Sequence, residues 1–175
     1  MDGGSGARGT ERTALPRTES AVIVEIQRFS LHDGPGIRTT IFFKGCALRC
    51  AWCQNPESLR LAPEMAFSRE RCGNTRRCAT VCPRGAILEG AERRIDFTRC
   101  DACGLCATAC NHDALRLVGV RFEIGALVQE ILKDRDFFVD SGGGVTLSGG
   151  EPMMQAAYLR RLLPLLKAQG LHVAM

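Results

Sequence analysis

The stretch Gly34–Pro56, GPGIRTTIFFKGCALRCAWCQNP, decides how the rest of the chain is read. Its segment Thr40-Ile41-Phe42-Phe43 has the short apolar character of a buried β-strand, and the chain then turns through Cys46, Cys50 and Cys53. Three cysteines spaced C-x3-C-x2-C on one tight loop form a metal site one ligand short. A cubane iron–sulfur cluster normally takes four thiolates, so three leave one iron with an open position, the feature that separates catalytic from structural metal sites. A zinc site or part of a disulfide set would use the same thiols. The Gly-Pro-Gly approach at 34–36 and a second cysteine motif downstream favour the cluster.

Composition bounds the remaining choices. A chain of 175 residues, 45% apolar, can form one ordinary domain with a core, or a domain carrying a small insertion. No apolar run approaches the roughly 20 residues of a spanning helix, so no membrane partner is expected. Residues 1–20, MDGGSGARGTERTALPRTES, lack the apolar centre of a secretory signal, and Asp2, Glu11 and Glu19 fit poorly with an organelle transit peptide. A flexible tail is expected there. Ten cysteines without an export signal point to metal ligation in a reducing compartment, the cytoplasm, rather than to disulfides. The net charge of +4 is modest, and the runs Arg76-Arg77, Arg93-Arg94 and Arg160-Arg161 lack stacking aromatics, which argues against nucleic acid. These arginines read as solvated surface, with docking of an acidic electron-donor protein as the functional alternative.

Taken in order, Ala21–Ile26 has the β-branched look of a strand, with Gln27–Ser30 as its extension. His32-Asp33-Gly34-Pro35-Gly36 breaks it and lets the chain reverse. The next strand, Thr39–Phe43, delivers the cysteine loop at its C-terminal end, where α/β folds place their active sites. His32 reads as polar surface.

From about Met65 to Gly119 seven more cysteines appear: Cys72, Cys78, Cys82, Cys100, Cys103, Cys106 and Cys110. The last four spell C-x2-C-x2-C-x3-C, the run that ligates four-iron clusters in bacterial two-cluster ferredoxins. Sliding that run back by 28 residues puts Cys100 on Cys72, Cys106 on Cys78 and Cys110 on Cys82, so the segment is an internal repeat. Cys103 falls on Thr75. Where the fourth cysteine of each run serves the other cluster, one set is Cys100, Cys103, Cys106 and Cys82, and the other only Cys72, Cys78 and Cys110. The short set could lose an iron to give a three-iron cluster, recruit water or another oxygen ligand, or fail to assemble. Asn111 replaces the proline that follows Cys82. His112, beside Cys110, reads as surface or hydrogen bonding rather than as a ligand.

Beyond the repeat, Phe122, Ala126, Leu127, Ile131 and Leu132 recur at helical spacing, Asp140–Gly144 is a loop, and Val145–Leu147 a short strand. The strand ends in Ser148-Gly149-Gly150-Glu151-Pro152, whose glycines allow close backbone approach to a ligand while Glu151 adds a carboxylate. On its own this is a turn into a helix. That helix, Met153–Ala168, should kink or restart at Pro164, and Met153 and Met154 should pack inside. Leu171–Met175 opens another strand.

With Trp52 before its last cysteine, the Cys46/Cys50/Cys53 loop resembles the cluster loop of the radical S-adenosylmethionine superfamily. Gly34-Pro35-Gly36-Ile37-Arg38, Phe42, Gly45 and Asn55 resemble the signature of its glycyl-radical-enzyme activating enzymes, of the type that activates pyruvate formate-lyase. The resemblance implies an α/β fold, the front part of a partial (β/α)6 TIM-like barrel, formed by residues 21–64 and 120–175, with an inserted α+β ferredoxin-like domain at 65–119. The chain then stands as an N-terminal portion of that architecture. The implied cofactors are a [4Fe-4S] cluster on Cys46, Cys50 and Cys53, one further [4Fe-4S] cluster with four cysteines, one with three ([4Fe-4S] or [3Fe-4S]), and S-adenosylmethionine. Trp52, Gly149, Gly150, Glu151 and Pro152 are the implied cofactor-binding residues. The implied reaction is reductive cleavage of S-adenosylmethionine to a 5′-deoxyadenosyl radical, which takes hydrogen from a glycine of a partner glycyl radical enzyme. Reduced flavodoxin or ferredoxin is the implied electron donor. The alternatives are an iron–sulfur electron-transfer protein without catalysis, and a radical enzyme acting on a small molecule.

Overall fold

The computed structural model describes residues 19–90 and 94–175. The expected tail over 1–20 lies outside them except for its last two positions, and Ser20 is already in a strand. Twelve regular elements follow: β1 (Ser20–Ser30), β2 (Arg38–Phe43), β3 (Glu64–Phe67), α1 (Arg77–Thr80), α2 (Leu105–Thr108), β4 (Leu115–Val118), β5 (Val120–Glu123), α3 (Ile124–Leu132), α4 (Arg135–Ser141), β6 (Gly144–Gly149), α5 (Ala156–Ala168) and β7 (His172–Ala174). Single 3₁₀ turns lie at Pro56–Ser58 and Pro152–Gln155.

Five strands form one mixed sheet in the order β5-β1-β2-β6-β7. β2 is buried on both faces apart from Phe42, as a central strand should be, and its near-continuous apolar and hydroxyl run leaves no solvent face. It runs parallel to β6 with Arg38 opposite Gly144 and Phe43 opposite Gly149, and β6 runs parallel to β7. β1 is antiparallel to both β2 and β5. The main core joins Ile41, Phe43, Val145 and Leu147 of the sheet to Leu127 and Ile131 of α3 and to Tyr158, Leu162 and Leu166 of α5.

A second, smaller core unites Met65, Ile95, Cys106 and Leu115 with the partly buried Cys78, Cys100 and Cys110, under the antiparallel pair β3–β4. It shares no residue with the main core. The 28-residue repeat is visible in its backbone. Left-handed residues recur at equivalent places, Asn74 with Ala102, Arg76 with Gly104 and Gly85 with Asp113, and the one-turn helices α1 and α2 follow the second of these pairs. The Ile87–Ile95 bridge is the counterpart of Leu115–Phe67 in β4–β3, so the two repeats are related by a pseudo-twofold.

Five expectations need correction. Arg94, expected as solvated surface, is only 7% exposed because it lines the cavity beside Cys72, Cys78 and Cys110. Phe122 lies in strand β5 rather than in the helix, because Val120–Glu123 pairs with β1 before α3 begins at Ile124. Asp140 and Ser141 end a helix, α4, instead of opening a loop; Gly142, at φ 67°, terminates it. Pro164 neither restarts nor splits α5. Met153 and Met154 are 54% and 46% exposed, since they occupy a 3₁₀ turn on the surface rather than the buried face of α5.

Candidate metal centre

The root of the Cys46/Cys50/Cys53 loop is fixed from several sides. Gly45 N–H donates to the Ser58 carbonyl at 2.7 Å and Cys46 N–H to the Leu59 carbonyl at 3.0 Å, so the loop closes on the 3₁₀ turn that follows it. Within it, Cys53 N–H donates to the Cys50 carbonyl at 3.1 Å. Cys46 and Cys50 are half-buried, Cys53 is exposed, and Trp52, 81% exposed, stands free beside them.

The Gly-Gly-Glu-Pro segment is stitched to the same root. Gly150 N–H donates to the Phe43 carbonyl at 2.8 Å and Glu151 N–H to the Gly45 carbonyl at 2.7 Å, so the parallel ladder of β2 and β6 continues into the two loops. A side chain would break this contact. A Cβ on Gly149, at φ 107°, would lie 2.4 Å from Phe43 N, and one on Gly150 would lie 2.4 Å from the Gly45 carbonyl oxygen. Glu151 Oε1 accepts from Met153 N–H at 3.0 Å, which caps the 3₁₀ turn and fixes the carboxylate at the strand ends. Pro152, the first residue of that turn, is buried.

The structure does not bring the whole signature to this place. Arg38 is at the opposite end of β2, fully buried, with Nε donating to Thr146 Oγ1 at 2.6 Å and Nη1 3.2 Å from both the Pro35 carbonyl and His172 Nδ1. Burial draws its pKa below the ordinary value, and the Asp33 carboxylate works against that. Gly34–Arg38 therefore joins β2, β6 and β7 at their far ends, away from the cysteine loop. His32 is exposed, as expected.

Two residues that the sequence did not single out support the site. Lys44, between Phe43 and Gly45, is fully buried, and its Nζ donates to Glu64 Oε1 at 2.8 Å and to the Glu57 carbonyl. Gln155 bonds both the N–H and the carbonyl of Val22 at 2.9 Å and the Lys44 carbonyl at 2.8 Å, which locks β1 beside the loop. A lysine closing an apolar strand was the available signal for the first; none marked the second.

The remaining cysteines line two separate cavities. One, open to solvent, is bounded by Cys82, Cys100, Cys103 and Cys106 with Ala86, Ile87 and Ile95. The other is bounded by Cys72, Cys78 and Cys110 with Thr75, Ala114, Leu115 and Phe67. The matching walls agree with a duplicated unit: Ala86 with Ala114, Ile87 with Leu115, Ile95 with Phe67. Thus the structure groups these seven cysteines as four and three, in the sets the repeat indicates.

The donor chemistry fits iron–sulfur ligation. A cubane takes each of its thiolates on a different iron, and grouped cysteines of this kind are its ligand type; among the described residues no three His, Cys, Asp or Glu side chains are placed to hold a single metal ion. Burial pushes the Cys106 thiol up to about 11, and the nearby Cys100, Cys82 and Cys103 add to the shift. Such a group ionises together only around a compensating positive centre. Burial would raise the Cys110 thiol too, but backbone N–H groups of His112, Ala114 and Leu115 outweigh it and draw the pKa below the ordinary value. Ala86 N–H donates to Cys82 Sγ at 3.3 Å in the other repeat.

The family model for a 4Fe-4S single cluster domain matches residues 32–174. The chain is 42% identical over 155 residues to the trans-4-hydroxy-L-proline dehydratase activating enzyme of Clostridioides difficile, covering 87% of this chain and 51% of that protein. It is 45% identical over 159 residues to the benzylsuccinate synthase activating enzyme of Thauera aromatica, with 87% and 48% covered. To the indoleacetate decarboxylase activating enzyme of Tractidigestivibacter scatoligenes it is 41% identical over 155 residues, with 82% and 49% covered. The chain spans about half the length of the curated relatives it matches.

Proposed function

The chain belongs to the 4Fe-4S single cluster domain family, and on that premise we propose that it forms part of an enzyme that activates a glycyl radical enzyme. Its relatives are glycyl-radical-enzyme activating enzymes of the radical S-adenosylmethionine superfamily. The single observation that carries the reading is the joining of the Cys46/Cys50/Cys53 loop to Gly149-Gly150-Glu151 through the Glu151 N–H to Gly45 carbonyl bond.

In this reading Cys46, Cys50 and Cys53 hold three corners of a [4Fe-4S] cluster and leave the fourth iron open. Gly149 and Gly150 let the amino-acid end of S-adenosylmethionine approach the backbone. Glu151, whose Oε1 is engaged by Met153, keeps Oε2 to accept from the ligand's ammonium group. Trp52 covers the ligand from the solvent side. A cluster held there would, when reduced, supply the one electron that splits S-adenosylmethionine into methionine and a 5′-deoxyadenosyl radical, which would take hydrogen from a glycine of the partner enzyme to give 5′-deoxyadenosine.

We assign residues 21–64 and 120–175 to the front of a partial barrel and residues 65–119 to an inserted ferredoxin-like domain, supported by the two separate cores. The family description names one cluster; two more are proposed here, on the four-cysteine and three-cysteine cavities, as a relay from reduced flavodoxin or ferredoxin. Ten free cysteines suit a reducing cytoplasm.

The test uses the full-length protein, reconstituted anaerobically and reduced, with 5′-deoxyadenosine as the product measured. Cys46→Ala, Cys50→Ala and Cys53→Ala are each expected to abolish cleavage while the signals of the other clusters persist. Cleavage retained in all three would sink the proposal, and absence of cleavage in the unmodified protein would favour an electron carrier.

A further inference from the structure

At the 28-residue offset, the differences between the three-cysteine cavity and its counterpart include three that are linked. Thr75 stands where the complete site has Cys103. His112 stands where the complete site has Arg84, and Gly73 where it has Asp101. In the complete site Arg84 Nε donates to Asp101 Oδ2 at 3.1 Å, and this ion pair forms part of the cavity wall. In the other cavity both members of the pair are replaced. His112 is exposed, as expected, yet its imidazole lies against the backbone of Gly73 on the cavity wall, so close that a Cβ on Gly73 would meet Nε2 at 2.3 Å. Only glycine next to Cys72 leaves room for the ring.

From this we infer that the His112 imidazole is the fourth protein ligand of the iron–sulfur cluster held by Cys72, Cys78 and Cys110. The site that lacks a cysteine has gained an imidazole at its wall and has lost the side chain that would exclude it. The inference rests on the proposal that this cavity holds a cluster. A neutral imidazole ligates iron in iron–sulfur centres through a ring nitrogen, whereas the Thr75 hydroxyl would have to give up a strongly held proton to do as well. The neighbourhood also suits an anionic occupant. Arg94, only 7% exposed, lines the same cavity, its Nη1 reaching Asn74 Oδ1 at 3.4 Å, and its Nε is buried without a partner among the described residues. A buried guanidinium calls for opposite charge, and a cluster with three thiolates provides it. With a neutral ligand in place of a thiolate and Arg94 alongside, this cluster is more easily reduced than its all-cysteine neighbour.

The experiment is pulsed EPR on the full-length protein, prepared with natural-abundance or ¹⁵N-labelled histidine and reduced stepwise so that the higher-potential cluster carries the spin. A ¹⁴N coupling that turns into a ¹⁵N coupling on labelling is expected. His112→Ala should remove it, lower the iron content by about one per chain and give a three-iron signal on oxidation. His112→Cys should restore the four-iron cluster without nitrogen coupling and at a lower midpoint potential. Thr75→Ala should leave the spectrum unchanged. If Cys78→Ala removes no cluster, the proposal of a cluster in this cavity fails, and this inference with it. If Cys78→Ala removes one but His112→Ala keeps both the iron content and the wild-type spectrum, the cluster stands and histidine ligation is overturned. Loss of the fourth iron in Thr75→Ala rather than in His112→Ala would overturn it equally.

Discussion

Lys44 ties the cysteine loop to the smaller core. Its ammonium group is fully buried and reaches Glu64 of β3, whose side chain is 19% exposed, as well as the carbonyl of Glu57 just past the loop. Truncating one partner of a buried ion pair leaves the other uncompensated and costs about 3–5 kcal/mol; the partial exposure of Glu64 places the expected loss near the lower end. Lys44→Met, which keeps the length of the side chain, should therefore lower stability by about 3 kcal/mol in chemical denaturation, and Glu64→Gln by less. A Lys44→Met protein as stable as the parent would show the pair to be dispensable. Arg38 is comparable in burial but fixes the opposite end of the sheet, so the two basic residues bracketing β2 serve different ends of one strand.

At the scale of elements, α5 carries the clearest local conflict. Pro164 lies in its interior, is exposed, and cannot donate the N–H that would bond the Arg160 carbonyl one turn earlier. The helix persists because Tyr158, Leu159, Leu162 and Leu166 bury one face against the sheet, and that burial exceeds the roughly 3 kcal/mol by which proline disfavours a helix interior. Pro164→Ala is expected to raise stability by about 1–3 kcal/mol, and a thermal melt checks it; an unchanged or lower Tm would mean that the proline fits its site without strain. β5 shows the opposite balance. Its four residues, Val120-Arg121-Phe122-Glu123, alternate apolar and polar, but the run is short and only Phe122 is partly buried, so it forms a strand because β1 offers a free edge.

For the molecule as a whole, the two cores predict two responses to metal. The larger is built from aliphatic and aromatic side chains, whereas the smaller has Cys78, Cys100, Cys106 and Cys110 among its few members. With the clusters proposed for its two cavities, a unit of that size and composition would draw its folding free energy from ligation. Removing iron should therefore abolish hydrogen-exchange protection in residues 64–90 and 94–118 while β1, β2 and β6 keep theirs. Protection that survives in the smaller unit after iron is removed would show that its backbone repeat folds without ligands.

Much of this was legible from the residues in order, because cysteine spacing, glycine placement and a 28-residue offset are one-dimensional facts whose chemistry follows directly. The central strand at Thr39–Phe43, the cysteine loop at its end and the split of seven cysteines into four and three could be read that way. The sequence alone also showed that Thr75 leaves one set short. Tertiary structure decided what distance along the chain conceals. It put Glu151 on Gly45, Lys44 on Glu64, and Arg38 at the far end of the sheet from the cysteines its motif accompanies. It also laid His112 on Gly73, a contact invisible in sequence because the pseudo-twofold brings together residues from opposite ends of the repeat. Spacing and the 28-residue offset specify which cysteines belong together; only the packing of one repeat against the other specifies which further side chains, His112 and Arg94 among them, line the same cavity.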